Sequence, residues 1–420
     1  MRQERQPTGG AGSLVAPTEA SAPSARVGMV GAGQLARMTY QAALDYGVAL
    51  QVLARGEDEP AVAAGAEWVR GVPGNYEDLV ALAEGSEVVT FDHEVIPPAH
   101  LRRLADAGHV LRPAPEAFVV SQDKWVVREV LGPAGFPFPA HGPAWCAEDV
   151  ARFGDRYGWP LVLKATRGGY DGRGVRVLEG PAALGAQAAA LFPTEGRQGD
   201  EGSEGPPWLV EEHLELAAEC AVVLARRPSG QLACYPPIGT RQVEGICREL
   251  TVPADLPTTV LEEAEGMARA VAETIGATGV LALECFWTRD GRLLVNELAL
   301  RPHNTGHITM EAAVTSQFHQ HLRAVLDWPL GSSALRSPAA TVNLIATDDR
   351  ATVPDRLPLA LEDPRVHVHL YGKAPRRGRK IGHLTVLGDD VGEALERARR
   401  AAGVLLGAEV NDPAGAGRRA

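Results

Sequence analysis

The sequence has no basic excess. Its 41 Lys and Arg stand against 53 Asp and Glu, a formal net charge of −12. A surface of that balance repels a polyanion, which excludes nucleic acid as the main partner but leaves small anions to local patches. Cysteine is scarce: five in 420 residues, at 146, 220, 234, 247 and 285, with no metal-ligand spacing. An odd set of scattered thiols in a chain this long points to reduced cysteines and a cytoplasmic location. None has an adjacent base motif, so nucleophilic catalysis is not indicated. No apolar run reaches the length of a membrane span. The first 25 residues are rich in Gly, Pro, Ser, Thr and Ala and lack the apolar stretch of a secretory signal. They read as a disordered extension. The Walker A loop and the H-E-x-x-H zinc motif are also missing.

What is present is an ordinary globular composition, 45% hydrophobic and 22% charged, long enough for two to four domains. From Arg26, short apolar runs (ARVGMV, VALQVLA, EVVTFD) alternate with helical patterns, the mark of βαβ units and a parallel sheet. A helix is expected over about 121–131, with Ser121 as its N-cap. Two strands flank a glycine loop in WPLVLKATRGGYDGRGVRVL, an acidic surface insertion fills 193–207, and a long helix covers about 259–276. The last stretch, 338–410, reads as short strands and a helix.

Five places carry chemistry. GAGQLA (31–36) follows a strand and opens a helix, so its amides could meet a phosphate. A tight turn in any doubly wound sheet is an equal reading. Lys164 ends an apolar strand beside a loop with glycines at 168, 169, 172 and 174, which reads as a lid over phosphates or as a plain hairpin. The Asp290-Gly291 pair predicts a two-residue hairpin turn. Counting back from it places Glu284 opposite Glu297 among apolar neighbours, where two carboxylates repel unless a divalent cation such as Mg²⁺ joins them. That deduction depends on register, and a one-residue slip undoes it. The alternative is one carboxylate paired with an arginine and the other exposed. ALRPHNTGH (299–307) places Arg301, His303, Asn304 and Thr305 in a short loop directly after Glu297. YGKAPRRGRKIGH (371–383) gathers Lys373, Arg376, Arg377, Arg379, Lys380 and the potential cation His383, either a phosphate site or a solvated face. His367 and His369 read as half-exposed strand residues.

GAGQLARM, SQDK, LKATRGGYDGRG, ECF with VNE, RPHNTGHIT, TSQFHQHLRAV and GRKIGH occur in this order over about 26–405. Together they resemble the ATP-grasp superfamily and, within it, the N5-carboxyaminoimidazole ribonucleotide synthases of purine biosynthesis. The resemblance implies a mixed α/β and α+β chain: an ATP-grasp fold with an N-terminal Rossmann-like pre-ATP-grasp domain and a small, mostly β C-terminal domain. The expected bounds are 1–25 extension, 26–120, 121–333 with a mobile lid at about 140–214, 334–410, and a frayed tail at 411–420. It implies that ATP and bicarbonate carboxylate 5-aminoimidazole ribonucleotide, with ADP and phosphate released, in a homodimer.

By the same resemblance, Lys124, Lys164, Tyr170, Asp171, Gly172, Arg173, Gly174, Glu211, Glu212, Leu214, Glu219, Gln242, Asn296 and Glu297 would bind ATP. Glu284 and Glu297 would hold Mg²⁺, with Mn²⁺ as a substitute. Glu94, Arg301, His303, Asn304 and Asp171 would be catalytic. Gln34, Leu35, Tyr170, Lys373, Arg379 and Lys380 would bind the ribonucleotide. Ala32, Ala36, Thr240, Leu300, Pro302 and Thr305 depart from the family's usual residues. The alternatives are another ATP-grasp ligase, such as formate-dependent glycinamide ribonucleotide transformylase, an NAD(P) oxidoreductase using GAGQLA and Arg55, or an inactive binding protein.

Overall fold

A computed structural model describes residues 23–169, 172–193, 205–348 and 353–407. Expectations for Tyr170, Asp171, the extension up to residue 22, most of the 193–207 insertion and the tail lie outside the described residues.

The chain begins with strictly alternating elements: β1 (Ala25–Val30), α1 (Gln34–Tyr46), β2 (Val48–Ala54), α2 (Pro60–Ala63), β3 (Glu67–Arg70), α3 (Tyr76–Glu84), β4 (Val88–Phe91) and α4 (Pro98–Asp106). The strands form a parallel sheet in the order β3-β2-β1-β4. β1 lies inside it, so both its faces are covered; Val27, Met29 and Val30 are at most 1% exposed.

Two short helices follow, α5 (Pro115–Gln122) and α6 (Lys124–Leu131), where the sequence pattern predicts one over 121–131. Asp123 makes the break. Its extended backbone ends α5, and its carboxylate caps α6 by accepting from Trp125 N at 2.8 Å. Ser121 is not the cap; its hydroxyl donates back to Phe118 O within α5.

A second sheet is built from β5 (His141–Ala144), β6 (Leu161–Ala165), β7 (Val175–Leu178) and β8 (Trp208–Glu212), in the order β5-β8-β6-β7. Helices α7 (Ala147–Tyr157) and α8 (Pro181–Leu191) cover it, with Phe153, Leu163 and Leu184 in its core.

The third sheet is the largest. It contains β9 (Leu216–Arg226), β10 (Leu232–Cys234), β11 (Ile238–Val243), β12 (Ile246–Val252), β13 (Gly279–Thr288), β14 (Leu293–Ala299), β15 (Ala339–Ile345), β16 (Val366–Leu370) and β17 (Lys380–Leu387). The order is β14-β13-β9-β11-β12-β15-β17-β16, with β10 beside β9. Helices α9 (Thr258–Thr274), α10 (Thr309–Ala312), α11 (Gln317–Val325), α12 (Val353–Ala360) and α13 (Val391–Leu406) accompany it. The boundary expected at 334 therefore crosses a continuous sheet: β15 pairs with β12, Ala340 opposite Thr251. The C-terminal residues keep a core of their own, with Leu384, Val386, Ala398 and Leu405 packed together.

His321 on α11 locks the first sheet to the third. It meets Thr90 of β4 at 2.8 Å through Nε2 and accepts from Val280 N of β13 at 3.1 Å. The cleft between the sheets is thus fixed by a fully buried side chain.

Candidate active site

Lys164 lies on β6 between apolar neighbours, so its ammonium needs partners. It has Glu211 Oε2 of the adjacent β8 at 2.6 Å and Asn296 Oδ1 of β14 at 2.8 Å. Glu211 also pairs with Arg128 of α6 at 2.6 Å. Burial pushes the Glu211 carboxyl up, but Lys164 and Arg128 outweigh it and hold it at about 2. The Glu212 carboxylate is engaged too, by Ala140 N at 2.9 Å and Arg292 at 3.3 Å. Glu211 and Glu212, two of the acids among the expected ATP contacts, therefore have side chains committed within the protein. Leu214 follows in the β8–β9 connection, half-buried, as are Glu219 on β9 and Gln242 on β11. Glu219 is raised by burial.

The β13–β14 hairpin brings Glu284 directly opposite Glu297, but not by the expected route. The turn is longer than two residues: Thr288 N bonds Arg292 O at 3.0 Å, enclosing residues 289–291. That shifts the pairing by one, so Trp287 faces Leu293 and Cys285 faces Val295. An irregularity opposite Asn296 then shifts it back. The two offsets cancel. The carboxylates are not sealed in apolar surroundings as expected; Glu297 keeps 44% and Glu284 22% of its side chain exposed, on a cleft.

Around this pair the polar groups form a chain. Lys124 at the start of α6 meets Glu297 at 2.9 Å. Lys124 prevails over burial and keeps the Glu297 carboxyl low. Asn296 Nδ2 donates to Glu284 at 3.4 Å. Glu284 is pushed up to about 7, first by burial and then by Glu297 and Glu219. Two facing carboxylates with a single lysine paired to one of them present hard oxygen donors that fit a divalent cation. No cluster of three or more His, Cys, Asp or Glu suited to a metal exists among the described residues. Glu284 and Glu297 are the two facing carboxylates that could hold such a cation.

The loop after β14 continues the chain. His303 Nε2 lies 3.4 Å from Glu284 Oε1, and its Nδ1 meets Thr305 Oγ1 at 2.8 Å. Burial and then Arg301 lower His303 to about 3, so the ring is neutral. With Thr305 N–H donating to Nδ1, the ring proton belongs on Nε2. Thr305, a departure from the usual residue, keeps its hydroxyl in use. Arg301 pairs with Glu94 at 2.7 Å. Asn304 Nδ2 is buried and meets no acceptor among the described residues. Gln122 holds the Glu94 segment by donating to the carbonyls of Glu94 and Ile96, both at 2.7 Å.

The first and fifth sequence sites meet here. Lys373 donates to Gln34 Oε1 at the first turn of α1. Gly33 N donates to Asp92 at 2.6 Å, so a carboxylate occupies the turn that a dinucleotide pyrophosphate would need. Leu35 is buried in the core of the first sheet, so its side chain is committed to packing. Lys380 acts on the charge of both Glu284 and His303. Arg379 bonds Ala374 O at 3.1 Å and orders its own loop. His383, expected as a potential cation, is not one. It is fully buried, lowered by burial, and packed on His369 and His307. In the loop between β6 and β7, Gly168, Gly172 and Gly174 all have φ between +71° and +82°, and Gly172 abuts Gly245 of the β11–β12 turn. Arg173 beside it is exposed. Sequence reading missed Arg128, Asp92 and Gln122. For Arg128 a signal existed, since it falls one helical turn after Lys124.

A four-stranded sheet carrying a lysine and a glycine loop, joined through Asn296 to a hairpin with facing acids, defines an ATP-grasp enzyme. An ATP-grasp domain model matches residues 130–318, a ribonucleotide synthetase preATP-grasp domain 24–122, and a phosphoribosylaminoimidazole carboxylase C-terminal domain 339–397. The N5-carboxyaminoimidazole ribonucleotide synthase of Mycobacterium tuberculosis is 44% identical over 384 residues, 90% of this chain and 86% of that protein. The synthase of Corynebacterium ammoniagenes is 38% identical over 92% and 93% of the two chains. The crystal structure of the synthetase from Thermus thermophilus matches with a TM-score of 0.79 at 33% identity, over 92% of this chain and 99% of that one. The Aspergillus clavatus enzyme in complex with ADP and 5-aminoimidazole ribonucleotide matches with a TM-score of 0.81 at 28% identity, over 91% and 98%. The chain belongs to the N5-carboxyaminoimidazole ribonucleotide synthase family.

Proposed function

We infer that the chain carries out the family's reaction: ATP, bicarbonate and 5-aminoimidazole ribonucleotide give the N5-carboxylated ribonucleotide, ADP and phosphate. One observation carries the reading. A continuous polar chain runs Glu211–Lys164–Asn296–Glu284–His303, with Glu297–Lys124 beside it. It places two cations and two facing acids next to a neutral histidine loop.

The residues act as follows. Lys124 and Lys164 neutralise the nucleotide phosphates, while Glu212, Leu214, Glu219, Gln242 and the 170–174 loop surround the rest of ATP. Arg301, oriented by Glu94, holds bicarbonate with His303 and Asn304. A bicarbonate oxygen attacks the γ-phosphorus and ADP leaves, so the work is positioning and charge neutralisation. A magnesium ion on Glu284 and Glu297, with manganese as a substitute, neutralises phosphate charge when bound. The carboxyphosphate so formed releases CO₂ and phosphate beside the ribonucleotide amine, which attacks the CO₂ carbon and gives up a proton to the departing phosphate, with Asp171 among the groups that hold the ribonucleotide. Gln34, the Leu35 main chain, Tyr170, Lys373, Arg379 and Lys380 hold the ribonucleotide. Closing the loop over the site excludes water from the intermediate.

The functional units of this reading are 26–120, 121–333 with its lid, and 334–410, acting as a homodimer in the cytoplasm. No helix among the described residues is long and apolar enough to cross a membrane. The test is to follow labelled bicarbonate carbon into the ribonucleotide. Labelled product that forms only with ATP supports the reading, and ATP consumption without labelled ribonucleotide overturns it.

A further inference from the structure

TSQFHQHLRAV has no part in the chemistry above, yet its first helical residue reaches the histidine loop. Gln317 opens α11 and is fully buried. Its Oε1 accepts from His303 N at 2.9 Å, and its Nε2 donates to His303 O at 2.7 Å. The second Nε2 hydrogen meets His307 Nδ1 at 3.2 Å. One side chain thus satisfies both main-chain groups of His303 as a neighbouring strand would. The amide orientation is not arbitrary, because a backbone N–H must face the oxygen and a backbone C=O the nitrogen. The main chain repeats the tie: Gln317 N donates to Thr309 Oγ1 at 2.9 Å, which donates to Gly306 O at 2.6 Å. Space is committed as well, since a Cβ at Gly306 would collide with Gln317 Oε1.

We propose that Gln317 is a positioning residue that sets where His303 stands in the bicarbonate site, with Gly306 kept side-chain-free to admit it. The inference rests on the functional reading above, in which His303 contacts bicarbonate. Within the loop the His303 ring is held by Thr305 Oγ1 at 2.8 Å and its carbonyl by Gly306 N at 3.0 Å, but these contacts move with the loop, and it is Gln317 that ties His303 to α11. The buried amide holds the His303 main chain at two points and the His307 ring at a third, and a buried amide deprived of its partners is costly. Because Gln317 touches the loop from the side of α11, its loss should move the bicarbonate site and leave the lid and its lysine alone.

The experiment uses the full chain with Gln317→Met and, separately, Gly306→Ala. Methionine keeps the volume and removes the hydrogen bonds; alanine pushes the amide aside while Gln317 remains. ADP release is measured against bicarbonate and against ATP, with ADP affinity and thermal midpoint as folding controls. The expected result for both variants is a KM for bicarbonate raised about tenfold, with the KM for ATP and the ADP affinity within about twofold, the scale of one or two lost buried hydrogen bonds. A folded Gln317→Met enzyme with unchanged bicarbonate KM overturns the inference. So does an equal rise in both KM values. If Gln317→Met does not fold, Gly306→Ala decides alone by the same two criteria. A wild-type enzyme that ignores bicarbonate would instead sink the functional reading, so the two failures are distinct.

Discussion

Lys164 Nζ donates to Asn296 Oδ1 at 2.8 Å, joining the second sheet to the residue that interrupts the β14 register. Asn296 sits where the bulge turns its side chain toward both Lys164 and Glu284. Asn296→Leu removes both bonds but leaves Lys164 its Glu211 partner. The expected outcome is a loss of about 1–2 kcal/mol in ATP binding, a KM for ATP raised roughly five- to thirtyfold, with stability little changed. Steady-state kinetics alongside a melting curve check it. An unchanged KM would mean the bridge does not place Lys164.

Glu211 neutralises two buried cations, so its removal is a stability event. Glu211→Gln leaves Lys164 and Arg128 without a counter-charge, a cost of about 3–5 kcal/mol. The pH dependence follows from the depressed pKa. A carboxyl at about 2 in the folded chain contributes stability that is fully present above its ordinary range and is lost as pH falls toward 2. The wild-type advantage over Glu211→Gln should therefore narrow as urea unfolding is repeated from about pH 5 down to about pH 3. A gap constant over that range would contradict the pairing.

Glu297 faces Glu284 and pairs with Lys124. Glu297→Gln removes one acid from the proposed metal pair and Lys124's counter-charge. Turnover should fall by about a hundredfold or more, and the Mg²⁺ concentration for half-maximal rate should rise. A magnesium titration reads both. Unchanged Mg²⁺ dependence would remove the two-carboxylate site.

Lys373 and Gln34 belong to opposite ends of the chain and meet at the proposed ribonucleotide phosphate site. Lys373→Ala should raise the KM for the ribonucleotide about tenfold, with the KM for ATP nearly unchanged, as expected for a lost charge-assisted contact. Equal effects on both would move Lys373 to the nucleotide.

Much of this is legible in the sequence because local rules agree with the tertiary outcome. The apolar period of β1 and β2 and the glycine turn at 31–33 specify the parallel sheet directly. The Glu284–Glu297 pairing is legible for a flawed reason: the two-residue turn is absent, and Asn296's bulge restores the register. A bulge opposite a ligand site has no composition signal, so strand counting cannot see it. Ser121 loses the cap to Asp123 because a carboxylate placed to accept from Trp125 N outcompetes a hydroxyl already bonded to Phe118 O. His383 counts as a cation only when charge runs are read along the chain. β17 buries every residue from Ile381 to Val386, and burial makes the ring neutral. Gln317 is invisible for a related reason: its partners on His303 lie fourteen positions away and are backbone atoms.

The most direct test of the central claim is ADP release by the full chain with MgATP, with and without bicarbonate and 5-aminoimidazole ribonucleotide. The arrangement of Lys164, Glu284, Glu297 and His303 predicts slow release with ATP alone and strong stimulation when both are present. ADP release that the ribonucleotide does not stimulate would contradict it.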